Sequence, residues 1–146
     1  MKYMFLLLTV IGIFGLSCSK SSNAGLPEGT WKLTTIYDRV NDITLLPANG
    51  TGDHIVLQFR GNSFSGSTFK NTITDGSFTT PGAGKIVFGF YNTTYVEEDE
   101  FGHPLLSVLS SCLLSSSSPC KPCDYTLEGD KLIISSPYIY ELTFER

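Results

Sequence analysis

Charge is scarce in this chain, and alanine is scarcer. Only 16% of the 146 residues are charged, well under the roughly 25% of an average soluble domain. Three residues are alanine, while Thr, Gly and aromatics are plentiful. That balance excludes a helical bundle and favours β-structure. No basic block exists: Lys and Arg number 10 against 14 acids, for a net charge of -4. A phosphate-tracking nucleic-acid surface is therefore excluded as a leading reading. Histidine occurs twice, as His54 and His103. There is no G-x-S-x-G elbow and no recognisable Ser/His/Asp order. Asp53 and His54 are adjacent, so a strand sends them to opposite faces, which is wrong for a triad. The expectation is a protein without catalytic residues and without a cofactor. With 41% hydrophobic residues the chain still has the material for a core.

What is present begins with an address. Lys2 precedes an uncharged run from Met4 to Leu16, rich in Leu, Ile, Val and Phe. Its 13 residues fall short of the roughly 20 that a spanning helix needs. They suit the core of a secretory signal. The run ends at Gly15-Leu16-Ser17-Cys18, which resembles a bacterial lipobox with Leu16 one place late. In such a site the cysteine is lipidated and becomes the first mature residue. The reading is a lipoprotein signal peptide over residues 1–17, acylation at Cys18, and a flexible Ser/Asn/Gly tether over 18–25. Removing 1–17 takes Lys2 with it and makes the chain more acidic still. An acidic body gains nothing from an anionic bilayer, so attachment falls to the acyl chains. Ser19 lacks the aspartate of inner-membrane retention, and Lys20 lacks the acidic run of surface export. The expected location is the bacterial cell envelope, lipid-anchored at the outer membrane and facing the periplasm.

Residues 26–146 read as one β-rich domain. Gly29 to Tyr37 is the first strand, with Trp31, Leu33 and Thr35 on one face. Asp38 to Asp53 reads as a long loop. His54–Arg60 and Ser63–Phe69 flank a Gly61-Asn62 hairpin turn. Asp75-Gly76 marks the next turn; Gly76–Thr80 and Lys85–Tyr91 follow, separated by Pro81-Gly82-Ala83-Gly84. Leu105, Val108, Leu109 and Cys112 then repeat at helical spacing behind Pro104, predicting a helix over 103–114 with Leu109 in the core. The last strands are Asp124–Glu128, Lys131–Ser135 and an alternating run from Tyr138 to Phe144, with Tyr138 and Tyr140 expected in the core. The fold class is mainly β, an antiparallel sheet or partial barrel of at least six strands with one packed helix.

Four candidate sites deserve weighing against plainer readings. Cys120-Lys121-Pro122-Cys123 is a C-x-x-C, but it follows a serine run and precedes a strand, whereas a redox pair wants a helix N-terminus. Cys112, Cys120 and Cys123 with His103 give four potential zinc ligands at a spacing that matches no familiar site. The preferred reading is one structural disulfide, pairing Cys112 with Cys120 or Cys123, and no metal. Glu97-Glu98-Asp99-Glu100 lacks the pattern of a calcium loop and reads as a solvated acidic loop. Asn49-Gly50-Thr51 and Asn92-Thr93-Thr94 match a glycosylation acceptor, which a bacterial lipoprotein carries by chance.

The order of the pieces resembles the META domain family of HslJ-like heat-shock proteins and bacterial lipoproteins. The carrying residues are Gly29-Thr30-Trp31-Lys32-Leu33, Ser65-Gly66-Ser67-Thr68 with Asn71, and Gly76-Ser77-Phe78. Gly84-Lys85-Ile86-Val87-Phe88, the Leu105–Leu109 helix, Tyr125 to Leu132 and Leu142 to Arg146 complete them. Phe69-Lys70 stand where the family often has Gly-Cys, so no disulfide carries over from that cysteine. The resemblance implies a compact β-rich domain with one helix, no established catalytic residues, and a binding or structural role in envelope stress tolerance. Gly29-Thr30-Trp31 also resembles the opening of lipocalin-like barrels, with Arg146 placed to stack on Trp31. That resemblance implies a carrier of a small apolar ligand. Against it, three strands follow the helix. The expected partners are the membrane, through Cys18, and an envelope protein or small apolar ligand.

Overall fold

Period-two alternation of apolar and polar side chains governs most of the chain, and it builds a barrel. The structure, a computed structural model, describes Leu26, residues 28–113 and residues 120–146. The signal over 1–17, Cys18 and its tether, and Leu114 lie outside the described residues. Before the helix run β1 (Gly29–Asp38), β2 (Ile43–Leu45), β3 (Val56–Arg60), β4 (Ser63–Ser67), β5 (Thr72–Gly82), β6 (Lys85–Phe88) and β7 (Asn92–Thr93). Then come α1 (Gly102–Leu109), β8 (Cys123–Glu128), β9 (Lys131–Ser135) and β10 (Tyr140–Glu145).

Eight strands form one antiparallel meander in the order β1, β3, β4, β5, β6, β8, β9, β10, and β10 pairs back on β1. The sheet is therefore closed, not partial, and closure removes the free edges that invite aggregation. The short β2 extends the ladder on β1 beyond β3, within the stretch expected to be loop. The small β7 adds to β5.

Inward positions form a continuous core: Trp31, Leu33, Leu57, Phe59, Phe64, Phe78, Ile86, Phe88, Leu132, Ile134, Leu142 and Phe144 are each 0–4% exposed. Aromatic rings interlock edge-on, Phe59 with Phe78 and Phe64 with Phe88, both at 5.4 Å between centroids. One end of the barrel is closed by Arg146, whose guanidinium carbon lies 4.4 Å over the Trp31 ring while its Nη2 donates to the Glu28 carbonyl at 3.0 Å. At the other end α1 buries Pro104, Leu105, Val108 and Leu109. There too the Arg39 amide and guanidinium donate to the Ile139 carbonyl, tying the β1–β2 turn to the β9–β10 turn.

Several expectations need correction. On β1 the register slips between Leu33 and Thr35, so Ile36 rather than Thr35 takes the next buried place. The bulge shifts the alternation by one residue. The helix stops at Leu109, short of 114: the Ser110 amide still reaches the Leu106 carbonyl at 2.9 Å, but the Ser111 amide bonds to the Val108 carbonyl three residues back, which tightens the last turn and ends the helical ladder. Cys112 is thus beyond the helix, and Leu113 is exposed. Tyr138 lies in a turn and is exposed, not core, while half-buried Tyr140 does pack against the core. β5 runs from Thr72 to Gly82, longer than its expected span, and β4 and β6 end earlier than expected.

Candidate functional site

The barrel interior is the first place to look for a ligand, and it is occupied by protein. A chamber large enough for a ligand would leave exposed surface on the side chains that wall it. The inward side chains described above are not accessible. An eight-stranded barrel is either filled by its own side chains or holds one small ligand, and the burial of the inward positions among the described residues favours the first.

The histidines do not converge on a reaction centre. His54 and His103 are both exposed, one before β3 and one on α1. Among the described residues no three His, Cys, Asp or Glu side chains come close enough together to hold a metal. The cysteines resolve as a disulfide between Cys112 and Cys120, with Cα atoms 5.3 Å apart. Cys123 is a buried free thiol, its Sγ 3.6 Å from the Ser111 hydroxyl. Burial pushes the Cys123 thiol above its ordinary value, the opposite of what a redox nucleophile needs.

The acidic run is not simply a solvated loop. Glu98 turns inward, and its Oε1 accepts from the Thr68 hydroxyl at 2.7 Å and from Asn71 Nδ2 at 2.6 Å. Its Oε2 is buried with no partner among the described residues. Asn71 is the hub of this cluster. Its Nδ2 also donates to the Val96 carbonyl at 2.7 Å, and its Oδ1 accepts from the Val96 amide at 2.9 Å and the Thr94 hydroxyl at 3.0 Å. Asp99 Oδ1 accepts from the Phe101 and Gly102 amides and starts α1. All four polar directions of Asn71 are used internally, so it is an anchor for the 94–98 strap, not a ligand contact.

The outer wall offers a different kind of place. A cleft of about 400 Å³ crosses β3, β4 and β5, lined by Gln58, Arg60, Ser63, Ser65, Asp75 and Ser77, with Phe64 and Gly76 in its floor. Two irregularities shape it. The β4–β5 register slips between Phe64 and Gly66, and Asp75 sits there at φ +54°. A non-glycine residue in that region costs about 1 kcal/mol, least for Asp and Asn. Gly76 lets the floor close, since a Cβ there would lie 2.6 Å from the Phe64 ring. At the next strand both Gly89 and Phe90 face Ser77: the Gly89 amide donates to the Ser77 carbonyl at 2.7 Å, and the Ser77 amide donates to the Phe90 carbonyl at 3.0 Å. Phe90 is 64% exposed at that second bulge, its backbone paired with Ser77 of the cleft lining.

Asp75 is held ready: its Oδ2 accepts from Thr74 Oγ1 and from Asn92 Nδ2, each at 3.1 Å. The side chains of Gln58, Arg60, Ser63 and Ser65 make no hydrogen bond among the described residues. None of these residues was singled out as a site from sequence. Two signals were available: Ser63, Ser65 and Ser67 alternating with Phe64 and Gly66 mark a polar outer face, and Asp75-Gly76 reads as a turn, whereas the structure keeps both residues inside β5, where they form a bulge.

A solved fold resembles this one. It is the NMR structure of a protein from Burkholderia xenovorans, at a TM-score of 0.59 and 17% identity over 83% of each chain. At that identity the likeness shows the fold alone. No protein-family profile matches the chain, and no curated protein matches it.

Proposed function

We propose that the chain is a bacterial envelope lipoprotein, anchored by acyl chains on Cys18, whose barrel works by recognition on its outer surface and not by catalysis. The observation that carries the second half is the filled interior, with inward side chains 0–4% exposed. The first half rests on the sequence, where a short apolar run ends at Ser17-Cys18. The order of strands and helix supports the META-like reading, and with it a role in envelope stress tolerance by analogy. The outer membrane, facing the periplasm, is the proposed location, and an envelope component is the proposed partner.

The rival is a lipocalin-like carrier of a small apolar ligand. The closed eight-stranded meander and the Trp31–Arg146 stack favour that resemblance. The filled core weighs against the carrying function. Titration with oleate and a hydrophobic dye separates the two. The recognition reading expects no stoichiometric uptake by the purified protein. One mole of oleate bound per mole of protein, or an apolar molecule copurifying at that ratio, would overturn it.

A further inference from the structure

We infer that the outer-wall cleft over β3, β4 and β5 is a binding site for an uncharged saccharide; the inference rests on the reading of the barrel as an outward-facing recognition domain. The lining supplies hydroxyls from Ser63, Ser65 and Ser77, an amide from Gln58, a guanidinium from Arg60 and a carboxylate from Asp75. Hydroxyls and amides both donate and accept, guanidinium only donates, and carboxylate only accepts. That mixture matches a ligand whose own groups are hydroxyls, each able to donate and accept. The heads of Gln58, Arg60, Ser63 and Ser65 have no protein partner among the described residues, so a ligand need not displace an internal hydrogen bond to reach them.

Other ligand classes fit less well. Arg60 and Asp75 offset one another, and no cluster of cations is present for a phosphate. The lining is too polar for an acyl chain. An extended peptide adding as a strand needs a free sheet edge, and β4 is paired on both sides. Phe90 is exposed, and its backbone is paired with Ser77 of the lining; it is the nearest outward aromatic residue along the chain that could offer an apolar face to the C–H side of a sugar ring. From β3 across to the Phe90 bulge is three strand intervals, about 14 Å at roughly 4.8 Å each. That span suits a short oligosaccharide better than a single ring.

Asp75 sets the geometry. Its backbone is left-handed where a glycine would sit without strain, and Asn92 and Thr74 fix its carboxylate. A position held that way for turn geometry alone would not need the side chain. Strain of this kind concentrates where a side chain must be aimed.

The test is calorimetric titration of the full-length protein, in a zwitterionic detergent to avoid sugar headgroups, with maltotriose, cellotriose, chitotriose and mannotriose. At least one should bind with a dissociation constant near 1 mM, about the strength a shallow site provides. Phe90→Ala and Arg60→Ala should each weaken that binding about tenfold. Tyr138→Ala, exposed at the α1 end of the barrel, should leave it unchanged. Retention on insoluble cellulose or chitin would mark a polysaccharide source and trisaccharide binding alone a soluble one; either supports the site. Heat from none of the four sugars overturns the inference, as does binding that survives both cleft substitutions. Stoichiometric oleate uptake would instead bring down the outward-recognition reading on which it rests.

Discussion

Removing the Asn71 side chain should loosen the α1 end of the barrel more than any other polar truncation among the described residues. Asn71 is 3% exposed and its amide makes four hydrogen bonds. In Asn71→Ala the Thr94 hydroxyl turns to water, and its loss costs little. The Val96 amide and carbonyl each lose a partner, at about 1 kcal/mol apiece. Glu98 Oε1 loses a charge-assisted bond worth roughly 1.5–3 kcal/mol, while keeping its bond from Thr68. The sum is about 4 kcal/mol. A domain of this size loses roughly 3–4 °C of melting temperature per kcal/mol, so a fall of roughly 12–16 °C is expected by circular dichroism. Asn71→Asp gives a sharper check. It sets a second carboxylate against Glu98 Oε1, where the donor now lies at 2.6 Å. Two carboxylates that close share a proton, so the folded variant binds more protons than the unfolded chain. Its stability relative to wild type should then rise as pH falls from 7 towards 5. If Asn71→Ala melts within about 3 °C of wild type, the strap is not held by this residue and the reasoning fails.

Three further outcomes are expected. Wild-type protein expressed in bacteria should label with radioactive palmitate and partition into detergent, while Cys18→Ser loses the label; a labelled variant would end the lipoprotein reading. Alkylation without reduction should modify one of Cys112, Cys120 and Cys123, namely Cys123, and only after denaturation, since Cys123 is 1% exposed. Because burial raises the Cys123 thiol, the folded chain keeps that proton above the ordinary value of 9.0 while the unfolded chain loses it. Stability should therefore fall as pH rises past about 9, and less steeply in Cys123→Ala. Leu109→Asp places an unpaired charge at a fully buried site and should cost more than about 3 kcal/mol; an unchanged unfolding midpoint in urea would mean that α1 does not dock as described.

Alternation made the strands legible wherever one face is buried. Ile55, Leu57 and Phe59 read correctly as one face, and all are buried. The helix was legible from Leu105, Val108 and Leu109, but not its end, where the Ser111 amide switches from the i−4 to the i−3 carbonyl. The stacking of Arg146 on Trp31 was legible from the lipocalin-like opening, although more than a hundred residues separate them. The bulges were not legible as bulges: Asp75-Gly76 reads as a turn between strands, and it lies inside β5. Asp75 and the Gly89–Phe90 pair are set by the register of strands that meet only in the folded chain. The inward turn of Glu98 was hidden for the same reason: its partner Asn71 is 27 residues away and outside the acidic run. The cleft needs both bulges at once, so no stretch of sequence announces it.

The filled core and the outer cleft follow from one energetic constraint. To become a carrier, this barrel would have to surrender aromatic side chains that interlock at its centre. Truncating a buried Phe costs about 3–5 kcal/mol, and a small domain has about 5–15 kcal/mol in total. Losing Phe64 and Phe88 together would consume much or all of that margin, since each packs on the other and Phe64 also meets Phe59 and Tyr91. The outer wall carries no such penalty. Gln58, Arg60, Ser63 and Ser65 contribute little to stability because their heads bond to nothing within the described protein. A bulge there redirects side chains at a cost near 1 kcal/mol, the strain at Asp75. A barrel of this width therefore gains a site most cheaply on its outside, where one bulge lies in the cleft at Asp75 and the other pairs with its lining residue Ser77.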